Sequence, residues 1–219
     1  MKKAAILVAG GLGKRMNYAL PKQFLELKGK PILFYTLETF YAYNPEMEII
    51  VVLPEVYFIF WKELLISHKI EIPHKLAAGG DSRYQSVKNG LSKIENATVV
   101  AIHDGVRPFI TPLFIEKLFE EAEKFGSAVP IKPVTETVRK INNEHNDVLP
   151  RQEIFLVQTP QIFMKDWLDK AYNIPFSESI TDDAMLIEQA GFPLHFSEGL
   201  NYNIKITTPE DLKWAEKQI

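Results

Sequence analysis

The sequence predicts an α/β fold in which a mostly parallel sheet is covered by helices on both faces. Residues 4–8, 48–53 and 98–102 are short apolar runs without polar alternation, which is typical of strands buried on both faces. Segments with apolar residues at helical spacing, such as 31–43 and 113–125, separate these runs. This alternation favours parallel strands that are joined by crossover helices.

The composition indicates a single domain over residues 1–219. The chain is 46% hydrophobic, which is enough for a sizeable core, and it contains no cysteine for thiolate catalysis or disulfides. It has 25 Lys and Arg residues and 28 Asp and Glu residues, so it lacks the overall positive charge that favours nucleic acid binding. No window approaches the roughly 20 apolar residues of a membrane span, and no signal peptide follows Met1. We therefore expect a cytoplasmic enzyme with no membrane or nucleic acid partner.

The remaining elements can be placed by the same patterns. Trp61 and Phe58 are predicted to belong to the core rather than to a base-stacking platform. Further helices are predicted at 56–68, at 163–172 and from Pro209, and further strands at 72–77, 127–132 and 194–197.

Residues 133–157 interrupt the strand–helix alternation. β-branched residues alternate from Thr135 to Ile141, a polar stretch follows, and the apolar pattern resumes at Val148. This predicts a long hairpin with its tip near 143–146. Because a two-stranded ribbon is not stable alone in water, we expect it to lie against another surface.

A glycine-rich loop directly follows the first strand. Ala9-Gly10-Gly11-Leu12-Gly13 has few steric limits, so successive N–H groups can point into one concavity and bind phosphate. The cations Lys14, Arg15 and Lys22 come next, which suits a polyphosphate. The spacing fits neither a Walker A loop nor the dinucleotide fingerprint.

Two other strand-to-helix turns carry polar residues. In Gly79-Gly80-Asp81-Ser82, either Asp81 or Ser82 is expected to cap the next helix and to leave the glycine amides available. Asp104 leaves a buried strand close to Arg107, which predicts a salt bridge between them. We interpret the neighbouring His103 as a structural residue.

The carboxyl-terminal third contains two further motifs. Ser179 or Thr181 is predicted to cap a helix, with Asp182 and Asp183 in its first turn complementing the helix dipole. Lys205 lies between Ile204 and Ile206 in what is predicted to be a short strand. By alternation alone such a lysine would point to solvent.

Taken together, these motifs resemble a known enzyme family. The pattern A-G-G-x-G-x-R-M followed by P-K-Q resembles nucleotidyltransferases with a Rossmann-like sandwich fold, and among them the cytidylyltransferases that act on polyol phosphates. The resemblance extends from Ile6 to Leu212, with Gly10 and Gly105 at positions where many members have Ala. It implies cytidylyl transfer from CTP with Mg²⁺, and a β-arm at 133–157 that clasps the second subunit of a homodimer.

The resemblance also implies a role for each matching residue. Arg151 would enter the partner subunit's acceptor site, and Asp104 would lie near a metal ion held mainly by the CTP phosphates. The implied catalytic residues are Arg15, Lys22, Arg151 and Lys205; the nucleotide-binding residues are Ala9, Gly10, Gly11, Gly13, Gly80, Asp81 and Ser86; the acceptor-binding residues are Asp104, Arg107, Thr137, Thr159 and Thr181.

Within this family there are two candidate acceptor substrates. The stretches 130–138, 156–161 and 181–184 favour 2-C-methyl-D-erythritol 4-phosphate, a precursor in the non-mevalonate route to isoprenoids, over ribitol 5-phosphate. A non-enzymatic nucleotide-binding regulatory module is the alternative from another class. Such a module would have no need of Lys205 or Arg151, so their presence favours an enzyme.

Overall fold

The computed structural model describes residues 1–11, 20–142 and 146–219. Within these ranges strands and helices alternate through most of the chain. The strands are β1 (Lys3–Val8), β2 (Glu26–Leu27), β3 (Lys30–Pro31), β4 (Glu48–Leu53), β5 (Lys75–Ala78), β6 (Val99–Asp104), β7 (Ser127–Pro133), β8 (Val138–Ile141), β9 (Asn146–Leu149), β10 (Phe155–Val157), β11 (Gln161–Met164) and β12 (Phe196–Glu198). The helices are α1 (Ile32–Tyr43), α2 (Phe58–Ser67), α3 (Arg83–Leu91), α4 (Pro112–Phe125), α5 (Lys165–Ala171), α6 (Asp183–Gln189) and α7 (Pro209–Ala215).

The main sheet has eight strands and confirms the predicted, mostly parallel α/β fold. Its order is β10-β7-β11-β6-β1-β4-β5, and β12 pairs with β7. β1 runs parallel to β4 and to β6, whereas β11 is antiparallel to both β6 and β7. In the β1–β6 pair Val8 lies opposite Asp104, so the loops that follow these two strands emerge side by side at one edge of the sheet.

Successive residues of each central strand enter opposite halves of the core. Leu7 and Val51 face a cluster with α1, α2 and α4, whereas Ile6 and Val52 face a cluster with α3, α5 and α6. Both faces of the sheet are therefore buried, which explains why the sequences of these strands are continuous apolar runs. Trp61 is fully buried in the first cluster, as predicted.

Several predicted elements were wrong in kind or position. Residues 161–164 form strand β11 between β6 and β7, so the helix predicted from Phe163 begins only at Lys165. Residues 204–206 form no strand, and the strand predicted at 72–77 occupies Lys75–Ala78. At α6 neither Ser179 nor Thr181 is the cap: the side chain of Asp182 accepts a hydrogen bond from the Met185 amide.

A separate two-stranded hairpin is present where the polar-tipped ribbon was predicted. β8 and β9 pair antiparallel, with Val138 opposite Leu149 and Ile141 opposite Asn146. Its expected tip includes residues 143–145, which lie outside the described residues. Ile141 and Val148 are exposed in the single chain. The role of this hairpin as a dimerisation arm stays a prediction.

Among the described residues, no helix is long and apolar enough to cross a membrane.

Candidate functional site

Three loops meet over a cavity of about 320 Å³ at the carboxyl edge of the sheet. They follow β1, β5 and β6, and each is fixed to the neighbouring strand: Ala9 donates to Val52, Gly79 to Leu53 and Gly105 to Val8, all through backbone N–H groups. Open α/β sheets hold ligands at such edges. The lining residues are Val8, Ala9, Gly10, Gly11, Lys22, Gln23, Gly80, Asp81, Ser82, Arg83, Ser86, Asp104, Val106, Lys205 and Thr207.

The start of the glycine loop lies close to the next loop, so a side chain at position 10 would have to shift its neighbours by a few tenths of an ångström. A Cβ on Gly10 would lie 3.1 Å from the Cα of Gly79 and 3.0 Å from Oγ of Ser86. Ala9, Gly10 and Gly11 line the cavity, and their role in nucleotide binding stays a prediction. The predicted residues Gly13 and Arg15 lie within 12–19, outside the described residues.

Gln23 is a site residue that the sequence analysis missed. Its Nε2 donates to the carbonyls of Ala9 and Gly11, at 2.7 and 3.1 Å, and so holds the start of the glycine loop in place. The adjacent Lys22 lines the cavity, and its Nζ donates to the Ile206 carbonyl at 3.0 Å. In the P-K-Q motif, Lys22 thus supplies a cation to the cavity and Gln23 supports the loop. The motif itself was the sequence signal that could have identified Gln23.

In the second loop, both glycine amides already donate to acceptors within the protein. Ser82 caps α3 by accepting a hydrogen bond from the Gln85 amide, which confirms one of the two predicted caps. Ser86 Oγ accepts from the Gly80 amide and donates to the Ser82 carbonyl. The expectation that capping would leave the glycine amides available was therefore wrong for Gly80, and also for Gly79, which donates to Leu53. Asp81 lines the cavity.

Three cations surround the buried carboxylate of Asp104. Its Oδ2 lies 3.0 Å from Lys205 Nζ and 3.3 Å from Arg107 Nε, and its Oδ1 lies 3.5 Å from Arg83 Nε. Burial by itself would raise the pKa of this carboxyl, but the charges of Arg83, Lys205 and Arg107 outweigh burial and hold the pKa well below its ordinary value. The predicted pair with Arg107 is confirmed. Lys205 also points at this carboxylate rather than simply to solvent.

Thr159 and His103 support the Asp104 loop from inside the protein. His103 Nε2 faces the Arg107 carbonyl and must carry the proton there, so Nδ1 accepts from the Thr159 hydroxyl. Thr159 Oγ1 in turn accepts from the Asp104 amide. Burial lowers the pKa of His103 to about 4, which agrees with a neutral, structural imidazole. The Thr159 hydroxyl, predicted to face the acceptor, thus already has two partners.

Arg83 and Asp183 form an ion pair whose role the sequence analysis missed. Arg83 donates in bidentate fashion to Asp183, through Nη1 at 2.9 Å and Nη2 at 2.7 Å. Asp183 lies in the first turn of α6, as predicted, but it is fully buried and its carboxylate is paired with Arg83. Arg83 stands in the G-G-D-S-R motif, and a charged residue inside that motif was the available signal.

The other predicted acceptor residues lie away from the cavity lining of the single chain. Thr181 and Thr137 are exposed, and exposed Arg151 donates to the Thr135 carbonyl within the arm. Asn203 is buried, and its side-chain Nδ2 donates to the Thr159 backbone carbonyl. The backbone carbonyl of Asn203 accepts a hydrogen bond from Arg107. Asn203 therefore ties the segment that carries Lys205 to the Asp104 loop.

The described residues do not form a magnesium site by themselves. They contain no group of three His, Cys, Asp or Glu residues placed to hold a metal ion. Both oxygens of Asp104 already face cations, and the charges of these three side chains disfavour a further cation at this carboxylate in the arrangement seen. The tentative assignment of Asp104 as a metal ligand is therefore not supported by the donor set.

The sheet topology and this cavity define a nucleotidyltransferase of the mixed α/β class. Comparison with known families then gives the particular one, because residues 3–219 match the family model described as IspD: 2-C-methyl-D-erythritol 4-phosphate cytidylyltransferase. The chain belongs to this family.

Individual relatives agree over nearly the full length. A protein of Bacteroides thetaiotaomicron named 2-C-methyl-D-erythritol 4-phosphate cytidylyltransferase is 46% identical over 213 residues, covering 97% of each chain. The solved 4-diphosphocytidyl-2C-methyl-D-erythritol synthase of Anaerococcus prevotii is 29% identical with a TM-score of 0.86, covering 99% of this chain and 95% of that one. The crystal structure of the Thermus thermophilus cytidylyltransferase is 30% identical with a TM-score of 0.79, covering 100% and 98%.

Proposed function

We propose that this protein transfers the cytidylyl group of CTP to 2-C-methyl-D-erythritol 4-phosphate, giving 4-diphosphocytidyl-2-C-methyl-D-erythritol and pyrophosphate. The observation that carries the proposal is the convergence of the glycine loop, Lys22 and the Asp104–Lys205 pair on one cavity. Family membership over residues 3–219 supports the same reaction, which belongs to the non-mevalonate route to isoprenoids. The relatives' names favour this acceptor over ribitol 5-phosphate, and they favour an enzyme over a binding module.

In this reaction a phosphate oxygen of the acceptor attacks the α-phosphorus of CTP. One O–P bond forms, the bond from the α-phosphorus to the bridging oxygen breaks, and pyrophosphate leaves with that oxygen. The attacking oxygen is already anionic, so no general base is needed. Catalysis then depends on positioning and on neutralising charge.

The chain's own cations can supply that neutralisation. Lys22 and Lys205 both line the cavity, and Lys22 Nζ donates to the carbonyl of Ile206, the residue after Lys205, so the two cations lie close together. We expect Lys22 to contact the triphosphate and Lys205 to contact the acceptor phosphate. Arg and Lys differ here, because a guanidinium can bind two phosphate oxygens and an ammonium acts as a point charge. Arg15 is proposed to act beside Lys22, although it lies outside the described residues.

We further propose that the active form is a homodimer in which the arm completes the neighbouring site. Support comes from the exposure of Arg151, Thr137 and the apolar side chains Ile141 and Val148 in the single chain. Residues destined for a partner's site would be exposed in this way. Magnesium is proposed to enter with the CTP phosphates, where it would neutralise the triphosphate.

The deciding experiment measures pyrophosphate release by the purified protein with CTP, Mg²⁺ and each acceptor in turn. We expect release with 2-C-methyl-D-erythritol 4-phosphate and a far slower rate with ribitol 5-phosphate. A site that hydrogen-bonds hydroxyl groups rejects a wrong pattern by up to about 10⁴-fold, because buried polar groups lose their partners. Preference for ribitol 5-phosphate would overturn the acceptor, and no release with either would overturn the reaction.

A further inference from the structure

Arg83 connects two parts of the site that lie far apart in the chain. It is the first residue of α3 and belongs to the loop that carries Gly80 and Asp81. Its guanidinium nevertheless contacts residues of two other elements. There Nη1 and Nη2 bind Asp183, and Nε lies 3.5 Å from Oδ1 of Asp104. One side chain thus connects the loop after β5, the end of β6 and the start of α6.

Asp183 is built to hold this guanidinium in one orientation. It is 0% exposed and also accepts a hydrogen bond from the Tyr172 hydroxyl at 2.5 Å. The helix that carries it is fixed in turn, because the Ala184 amide donates to Gln161, whose own amide group donates to Asp182. A bidentate pair with a buried carboxylate sets the plane of a guanidinium, so the direction of Nε is set as well.

We propose that Arg83, held by Asp183, is a positioning residue that fixes Asp104 and so the acceptor side of the active site. This inference rests on the proposed function. Arg83 acts through Asp104, which in turn holds Lys205 and Arg107 at 3.0 and 3.3 Å. Arginine is required because lysine offers a single point charge and cannot bind both carboxylates with a fixed orientation.

The competing interpretation is that the pair only stabilises the fold. Removing one partner of a buried ion pair leaves an uncompensated charge, so a loss of activity in a single variant could reflect lost stability. Removing both partners removes that charge imbalance. The double variant therefore separates the two interpretations.

The experiment compares the variants Arg83→Lys, Asp183→Asn and Arg83→Gln/Asp183→Asn with the wild-type protein. Melting temperature, affinity for CTP alone, and kcat and KM for the acceptor are measured for each. In the single variants we expect kcat/KM for the acceptor to fall by roughly 10²-fold, since small misplacements in a positioned site cost that much. Affinity for CTP should stay within about threefold, a difference of under 1 kcal/mol.

The double variant is the decisive one. Its melting temperature should recover toward that of the wild-type protein, while kcat/KM for the acceptor should stay low. Recovery of activity together with stability would overturn the inference, and so would an Arg83→Lys variant with unchanged kcat and KM. If the wild-type protein itself released no pyrophosphate, the proposed function would fail and this inference with it.

Lys3→Gln serves as the matched control. Lys3 is also a partly buried cation that bridges two elements, because its Nζ binds Tyr43 and lies 3.5 Å from Glu123. It stands at the opposite end of β1 from the glycine loop. Its loss should lower the melting temperature and leave kcat and both KM values unchanged. A fall in acceptor kcat/KM in this control would show that stability alone governs activity, and would overturn the inference.

Discussion

The Nζ atom of Lys205 lies 3.0 Å from Oδ2 of Asp104, although the two residues come from distant parts of the chain. Asp104 is buried at the end of β6, whereas the lysine is more than a third exposed at the cavity rim. The carboxylate therefore holds the ammonium group beside the cavity while leaving it accessible. Such a lysine can turn to an incoming phosphate at little cost in conformational entropy.

Lys205→Ala is expected to raise the acceptor KM and to lower kcat, together by roughly 10²–10³-fold, because it removes a preplaced charge from the transition state. Steady-state pyrophosphate release measures the effect. The fold should persist, since Asp104 keeps its contacts with Arg83 and Arg107. Lys213→Ala, an exposed lysine on α7, is the control and should match the wild-type protein. Equal activity of the two variants would refute the role of Lys205.

Lys22→Ala should lower kcat by a similar factor, because the lysine lines the same cavity as the glycine loop. The melting temperature should change little, since Gln23 rather than Lys22 braces the loop. Lys62→Ala, at an exposed position of α2, provides the comparison. Near-normal turnover of the Lys22 variant with unchanged melting would contradict a catalytic role. The same expectation holds for Arg15→Ala.

Arg151 is expected to serve the neighbouring subunit. Arg151→Ala and Lys205→Ala homodimers should each be nearly inactive, but mixing them should restore part of the activity, because each mixed dimer contains one site with both residues. Pyrophosphate release after subunit exchange measures this recovery. Exchange itself must be followed independently, for example with differently tagged chains. Absence of recovery despite exchange would mean that the arm serves its own chain.

Removal of divalent metal should abolish turnover without changing the stability of the free protein. The described residues form no metal site, so Mg²⁺ alone should not raise the melting temperature. Mg²⁺ with CTP should raise it, because a ligand that binds only the folded state stabilises that state by mass action. A clear shift with Mg²⁺ alone would reveal a protein-built metal site and contradict this prediction.

Stability should fall on acidification because His74 is held neutral. Its Nδ1 faces the Ile72 carbonyl and its Nε2 accepts from Trp61 Nε1 at 2.9 Å, so a second ring proton would have no acceptor. Burial lowers the pKa of His74 below its ordinary 6.5. As the pH falls below 6.5, the unfolded chain therefore takes up a proton that the folded chain refuses, and the free energy of unfolding drops by up to about 1.4 kcal/mol per pH unit.

Chemical denaturation at several pH values tests this linkage against His74→Gln. Glutamine can still accept from Trp61 but does not titrate, so its unfolding free energy should depend less steeply on pH between 6.5 and the lowered value. His103 titrates in both proteins, so its contribution cancels in the comparison. Identical slopes would show that His74 does not contribute.

The fold class, the position of the glycine loop and the family could all be predicted from the residues and their spacing. Strands β1 and β4 could be read directly, because dry faces on both sides of a parallel sheet require uninterrupted apolar residues. The motifs around Gly10, Asp104 and Lys205 could also be found, since their residue types and spacing are unusual. A cytoplasmic location and the site roles themselves stay predictions.

Which side chains contact one another depends on the folded arrangement of the chain and could not be predicted. The bridge from Arg83 to Asp183, the support of the glycine loop by Gln23 and the neutral state of His74 depend on contacts between segments that are distant in sequence or on the direction of a side chain. Phe163 and Met164, the last two residues of β11, were predicted as the start of the following helix, because Phe163 continues the helical spacing of the apolar residues at 167, 168 and 171. The backbone of β11 instead completes the sheet between β6 and β7, and pairing of those buried backbone groups outweighs local periodicity.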